Sequence, residues 1–153
     1  ALMQVDCPER EAALDRFHAR HAHEHLLVDK WLMLNAQAQG PNAAARIERL
    51  TQHPDFKWTT PNKVYSLLSG FVGGNPAGFN AEGGSGYKVI ADAILKLDPM
   101  NPQVASRLAT GFRSCKLLNS SRKLAAQAEL ERILAEPSLS RDVYEIVSKI
   151  ARS

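Results

Sequence analysis

Apolar residues recur at helical spacing from one end of the chain to the other, and strand-like alternation is missing. This spacing predicts a succession of amphipathic helices. The clearest apolar sets are Val64, Leu67, Leu68 and Phe71; Ile90, Ala93, Ile94 and Leu97; Val104, Leu108, Phe112 and Cys115; Ala126, Leu130, Ile133 and Leu134; and Val143, Ile146, Val147 and Ile150. An earlier set, Leu14, Phe17, His21 and His25, is predicted to share one helical face.

Helix breakers and start signals separate these sets. Thr60-Pro61 and Asn101-Pro102 are typical helix starts, and Asn42 can cap another helix. The breakers are Gly40-Pro41, His53-Pro54, Gly73-Gly74-Asn75-Pro76, Gly83-Gly84, Pro99, Asn119 and Pro137. Short connections place successive helices antiparallel. We therefore predict an all-α fold for residues 1–153, a single domain built as a superhelical array of antiparallel helix pairs, similar to an α-solenoid of armadillo or HEAT type.

The composition suits a soluble globular domain, with 44% hydrophobic and 23% charged residues among 153. The sequence contains no uncharged apolar run of about 18 residues, so it predicts no transmembrane helix. The first residues resemble neither a signal peptide nor a transit peptide, so we expect any targeting segment to lie outside this chain. Only Cys7 and Cys115 are cysteines, which favours a reducing compartment, the cytoplasm or an organelle stroma.

Positive charge is concentrated in one part of the chain. The net charge is +3, and no acid lies between Asp98 and Glu129. The cations of this stretch are Arg107, Arg113, Lys116, Arg122 and Lys123. Either they form a solvated basic face, or they face an anionic ligand. The aromatic residues are not interleaved with the cations, so we do not expect nucleic-acid binding.

Four histidines near the start of the chain raise the question of a metal site. A zinc-protease helix needs His-Glu-x-x-His, so that imidazoles at i and i+4 converge on one ion. Here His23-Glu24 is followed directly by His25, and that spacing is missing. His18, His21 and His25 would share a helical face, but we expect packing histidines and no native metal site. Gly83-Gly84-Ser85-Gly86 lacks the context of a phosphate loop and is predicted to be a turn with positive φ. No nucleophile arrangement is visible either, so we expect no catalytic residue in this chain.

Gln103 and Arg107 form the most informative pair. They lie four residues apart near the start of the helix that Asn101-Pro102 begins, beside the apolar stripe of that helix. A guanidinium beside an amide, with no acid nearby in the sequence, suits a carboxylate ligand.

Several motifs resemble the C-terminal helical domain of bacterial and plastid-type aminopeptidase N. Their order is kept over nearly the whole chain from about Leu14. The blocks are Val28-Asp29-Lys30-Trp31, Pro61-Asn62-Lys63-Val64-Tyr65-Ser66-Leu67, Gly73-Gly74-Asn75-Pro76-Ala77-Gly78-Phe79, Gly84-Ser85-Gly86-Tyr87, Leu97-Asp98-Pro99-Met100-Asn101-Pro102-Gln103-Val104-Ala105-Ser106-Arg107-Leu108 and Asp142-Val143-Tyr144-Glu145-Ile146.

The resemblance implies a non-catalytic cap domain of a zinc metalloaminopeptidase. The zinc, the cofactor of such a parent enzyme, would be held by preceding domains of the same polypeptide. The helices of this chain would close over that site and form part of a peptide chamber. Arg107 resembles the chamber arginine that meets the C-terminal carboxylate of a peptide substrate, with Gln103 on the same wall. His21 and Tyr65 depart from the family pattern, which bears on subsite preference.

Two other functions remain as alternatives. A stand-alone α-solenoid scaffold would bind a protein partner on its concave face. A basic helical nucleic-acid binder would lose affinity steeply with salt. If the chain is a cap domain, we expect it to self-associate when isolated, because apolar side chains that the catalytic domains cover would then face solvent.

Overall fold

The computed structural model describes all residues from Ala1 to Ser153. Every regular element is helical, which confirms the all-α prediction. The α-helices are α1 (Pro8–His21), α2 (His25–Gln37), α3 (Ala43–Leu50), α4 (Pro61–Val64), α5 (Gly70–Gly74), α6 (Pro76–Phe79), α7 (Ser85–Leu97), α8 (Pro102–Ala109), α9 (Ser120–Leu134) and α10 (Arg141–Arg152). Leu2–Gln4 and Thr110–Leu117 are 3-10 segments, and Tyr65–Ser69 is a π-helical segment between α4 and α5. None of the helices combines the length and the apolar character needed to cross a membrane.

The chain divides into two compact units, residues 1–78 and residues 79–153. In the first unit, α2 is the central helix, and it packs against α1, α3, the π segment and α5. Leu32 and Ala36 of α2 are fully buried, as are Leu67 and Phe71 of the following helical segments. The periodic apolar positions thus form the core that the sequence predicts.

In the second unit, α8 packs against both α7 and α10, and α9 packs against the same two helices. Three fully buried aromatic rings form its centre. The Phe79 ring lies edge-on to Tyr87 and Phe112, with centroids 5.1 and 5.5 Å away. The 3-10 segment that carries Phe112 packs on α8, α9 and α10.

The predicted helix starts are confirmed in position, but the side chains of Thr60 and Asn42 make no capping hydrogen bond, whereas that of Asn101 does. Thr60 precedes α4, and Asn101 precedes α8; both helices have Pro in the first turn. Gly83 and Gly84 have φ of +88° and +80°, which confirms the predicted turn with positive φ. A Cβ on Gly84 would lie 3.1 Å from the Ala125 methyl, so this turn also needs glycine for close packing.

Two helix predictions are wrong in detail. His21 and His25 do not share a helical face, because α1 ends at His21 and α2 begins at His25. The Glu24 N–H donates to the His21 carbonyl (2.9 Å) and closes this reversal, in which neither Gly nor Pro marks the break. The stripe from Val104 to Cys115 is buried as predicted, but the helix tightens from α to 3-10 at Thr110.

Candidate functional site

Helix α8 presents the two residues that the sequence singles out. The Asn101 side chain accepts a hydrogen bond from the Val104 N–H (3.2 Å), so the helix begins with a satisfied cap. Its inner face is buried and consists of Val104, Ala105, Leu108 and Ala109. Gln103 and Arg107 lie on the opposite, exposed face, as the i, i+4 spacing predicts.

A buried carboxylate links the two helices, α7 and α10, on which α8 packs. Asp98, 4% exposed, follows α7 and accepts hydrogen bonds from the Ser140 N–H (2.8 Å) and the Ser140 hydroxyl. Ser140 caps α10 at the same time, since its hydroxyl oxygen accepts from the Val143 N–H. The end of α7 and the start of α10 are therefore tied together, and α8 packs on both helices. A side chain on the outer face of α8 thus projects from a fixed base.

The cations of the acid-free stretch do not form a uniform face. Arg113 and Lys123 are exposed, like Arg107. Arg122 donates to the Asn80 carbonyl (2.7 Å) and pairs with Glu82 (3.3 Å). The Lys116 ammonium is buried without a hydrogen-bond partner, beside a cavity of about 60 Å³ that Lys123 also lines. Arg122 and Lys116 are thus drawn into the fold, which leaves Arg107 among the outward-facing cations.

The buried thiol in this unit is a packing residue. Cys115 is 3% exposed, and its Sγ lies 3.8 Å from Asn80 Oδ1. Burial raises the pKa of the Cys115 thiol, and burial likewise raises the pKa of the neighbouring Tyr87 hydroxyl. Both groups are thereby kept neutral, which is the opposite of what an activated nucleophile needs.

The histidine-rich segment does not have the geometry of a zinc-protease site. His23 is 76% exposed, and His25 begins a different helix from the one that ends at His21. Glu24 lies 3.6 Å from the His21 ring and 3.5 Å from the His23 ring, at the surface. These residues therefore do not fit the catalytic zinc of a metalloprotease.

Elsewhere in the first unit, the fold assembles a metal-type donor set. The ligand atoms of His18, His53 and Asp55 all lie within 4.8 Å of one another. His18 belongs to α1, whereas the other two residues lie in the segment between α3 and α4. Sequence analysis missed His53 and Asp55, because more than 30 residues separate them from His18 and no local spacing joins them.

Comparisons with known proteins agree with the fold. Residues 1–152 match the family described as "Domain of unknown function (DUF3458_C) ARM repeats", which agrees with the predicted array of helix pairs. The chain is similar to aminopeptidase N of Caulobacter vibrioides, with 41% identity over 92% of this chain and 16% of that protein. It is also similar to aminopeptidase N of Escherichia coli, with 34% identity over 97% of this chain and 17% of that protein.

The chain is also similar to part of a solved aminopeptidase structure. The crystal structure of Legionella pneumophila aminopeptidase A in complex with aspartic acid matches with a TM-score of 0.91 and 32% identity, over 99% of this chain and 18% of that chain. The chain thus spans less than a fifth of the relatives that it matches. In these aminopeptidases, the matched region is the C-terminal domain. The chain belongs to the DUF3458_C family of ARM-repeat domains.

Proposed function

We propose that this chain is the cap domain of a zinc-dependent aminopeptidase that removes N-terminal residues from peptides. The relatives named above support this proposal, since aminopeptidases carry this domain within a longer polypeptide. The domain would close over an active site in the preceding domains and complete the chamber that holds the peptide. A scaffold that works alone is less well supported, because the family match and the aminopeptidase relatives cover nearly the whole chain.

The chemistry of such an enzyme would belong to the other domains. Zinc would supply an activated water there, for attack on the scissile carbonyl. The part of this chain would be to bind and orient the far end of the peptide. Each unit has exposed apolar side chains of the kind that neighbouring domains cover. They include Leu26, Leu117 and Leu124, which are 80%, 90% and 70% exposed.

Arg107 would receive the C-terminal carboxylate of the peptide, with Gln103 beside it. The observation that carries this role is the position of Arg107, exposed on the firmly held helix α8 within a stretch of sequence without acids. A guanidinium offers two parallel N–H donors to a carboxylate, which gives both orientation and affinity. The Gln103 amide can add a third donor from the same face.

The test is Arg107→Ala in the full-length enzyme. A charge-assisted pair of this kind stabilises a complex by about 1.5 to 3 kcal/mol, so kcat/KM on short free-acid peptides should fall roughly tenfold to a hundredfold. The same peptides with an amidated C-terminus, and anilide substrates, offer no carboxylate and should be nearly unaffected. Arg113→Ala is the matched control, because it removes an exposed arginine from the same acid-free stretch.

The two substrate classes separate binding from folding. Equal losses on free-acid and amidated peptides would show that Arg107 supports the structure and does not bind the carboxylate. An equal effect of Arg113→Ala would show a general effect of positive charge. The melting temperature of Arg107→Ala should stay close to that of the parent, as expected for a surface substitution.

A further inference from the structure

We propose that His18, His53 and Asp55 form a binding site for a divalent transition metal of the zinc class. All three residues lie in the first unit, whereas Arg107 belongs to the second. The proposed site is also distinct from a catalytic zinc site, because this chain has no His-Glu-x-x-His motif. Two imidazoles and one carboxylate are ligands that zinc and its neighbours in the first transition row accept.

The distances leave room for one ion with small adjustments. His18 Nε2 lies 2.5 Å from Asp55 Oδ2, and His53 Nδ1 lies 4.0 Å from the same oxygen. Two ligand atoms on one tetrahedral zinc lie about 3.3 Å apart, given metal–ligand bonds of about 2.0 Å. The two observed distances bracket that value. Each of these two distances would have to change by less than about 1 Å, and the His18–His53 distance, which lies within 4.8 Å, by no more than about 1.5 Å.

The nitrogen of His53 that faces the carboxylate carries its lone pair in this structure. The Asp55 N–H donates to His53 Nδ1 (3.1 Å), which places the ring proton of neutral His53 on Nε2. A metal would take the Nδ1 lone pair, and the Asp55 N–H would lose one backbone-to-ring hydrogen bond. At His18, the metal would take Nε2 in place of the contact with Asp55, and the neutral ring would carry its proton on Nδ1.

The Trp31 ring packs against both imidazoles. Its ring centroid lies 4.2 Å from that of His18 and 5.1 Å from that of His53, and Trp31 is 6% exposed. The two histidine rings also meet edge-on, with centroids 5.2 Å apart. Ligand rings that packing has already fixed lose little freedom when the ion binds.

Solvent can reach the open side of the site. Asp55 also lines a cavity of about 310 Å³, together with Pro54, Lys57 and other residues of the first unit. Three protein ligands leave at least one coordination position, which water would fill. The ion would join α1 to the segment between α3 and α4. The backbone hydrogen bonds of that segment are of the turn type, such as that from the Phe56 N–H to the His53 carbonyl. The site would thus stabilise the first unit.

Titration of the purified 153-residue chain with zinc chloride tests the proposal. We expect one saturable zinc per chain by calorimetry and a matching rise in melting temperature. Asp55→Asn and His53→Gln should each weaken zinc binding by more than about a hundredfold, because residues that only support a metal ligand already contribute tenfold to a hundredfold. Cobalt(II) bound to the parent chain should give the intense visible absorption of a four- or five-coordinate ion, which both variants lose.

His23→Ala is the control, because it removes a histidine that stands 76% exposed beside Glu24, where a surface ion could bind by chance. This variant should bind zinc like the parent chain. Zinc binding that survives in both Asp55→Asn and His53→Gln, or that His23→Ala abolishes, would overturn the proposal. Absence of saturable binding would overturn it equally. Circular dichroism checks that each variant is folded, and His18→Gln provides a third variant if one of the others is not.

Discussion

The charged residues that are buried most completely differ in sign between the two units of this protein. The first unit buries cations: Arg10 is 2% exposed and Lys63 is 6% exposed. The second unit buries an anion, Asp98, which is 4% exposed. Its cations Arg107 and Arg113 are exposed, although the ammonium of Lys116 is buried. The formal net charge of the chain does not show this difference.

The buried cations of the first unit connect segments that are far apart in sequence. Lys63 donates to the Asp29 carboxylate (2.5 Å) and to the His25 carbonyl (3.2 Å), so it joins α4 to α2. Arg10 donates to Asp6 (2.9 Å) and to the Gln39 carbonyl, which lies after α2. Each ammonium or guanidinium is neutralised and hydrogen-bonded, which is the condition for burying a charge at tolerable cost. These cations therefore belong to the architecture of the unit.

The largest expected effect comes from breaking the Lys63–Asp29 pair. Asp29→Ala leaves the Lys63 ammonium buried without its counter-charge, and we expect the free energy of unfolding to fall by about 3 kcal/mol or more. Urea denaturation of the 153-residue chain measures this loss. Asp29→Leu combined with Lys63→Met removes both charges and should restore a large part of the stability.

The exposed pair Lys88–Asp92 of the second unit is the matched control. The Lys88 side chain is 64% exposed, and its ammonium lies 3.0 Å from the Asp92 carboxylate, four residues along α7. Lys88→Ala should change stability by no more than about 0.5 kcal/mol. Similar losses at Lys88 and Asp29 would remove the distinction between the two units.

An intermediate effect is expected at Asp98. Asp98→Ala leaves the Ser140 N–H without its acceptor, and it removes a charge-assisted pair of hydrogen bonds worth about 1.5 to 3 kcal/mol. Urea denaturation again measures the loss. Ser138→Ala, an exposed change two residues before Ser140, should stay within about 0.5 kcal/mol.

Asp98→Ala also bears on the proposed function. If Asp98 fixes the base of α8, Asp98→Ala should also displace Arg107. In the full-length enzyme, this variant should then lower kcat/KM on free-acid peptides. A stable Asp98→Ala protein with unchanged unfolding free energy would mean that α8 is held by apolar packing alone.

Local signals predicted much of this fold. The starts of α4 and α8 follow from Pro61 and Pro102, whose rings fix φ and whose missing N–H costs nothing in the first turn. The core positions follow from helical periodicity, since Leu67, Ile94 and Leu108 are all buried. The outward position of Arg107 follows from the same periodicity. Its role in binding is still a prediction.

The features that escaped prediction depend on partners distant in sequence. The reversal between His21 and His25 has no glycine or proline, so only tertiary packing decides it. Lys63 appears as an ordinary surface lysine in the sequence, yet its counter-charge lies 34 residues earlier. The approach of His18 to Asp55, 37 residues later, is invisible for the same reason. Periodicity identifies faces, but it does not identify which side chains on different segments meet.

The smallest expected effect concerns acid sensitivity and compares one carboxylate from each unit. A hydrogen bond from Arg46 holds the pKa of Glu11 below its ordinary value of 4.5, although burial opposes this. For Asp92, burial acts to raise the pKa, but hydrogen bonds from Lys88 and Arg132 outweigh it and lower the pKa below 3.8. A carboxyl group whose pKa is lowered by folding adds stability above its unfolded pKa and loses it as the pH falls through the folded value.

Glu11→Gln should therefore be less stable than the parent at pH 7, and the difference should shrink as the pH falls below about 4, where an unfolded glutamate takes up its proton. Asp92→Asn should behave alike, except in its response to salt. The Arg46 side chain is 12% exposed, whereas those of Lys88 and Arg132 are 64% and 41% exposed. Salt screens exposed pairs most, so added sodium chloride should reduce the Asp92 difference more than the Glu11 difference. Urea denaturation at a series of pH values, at low and at high salt, measures both stability differences.

A Glu11→Gln difference that stays constant down to pH 3 would show that the substitution acts through packing. Equal salt responses of the two variants would show that the first unit shields its charges no better than the second.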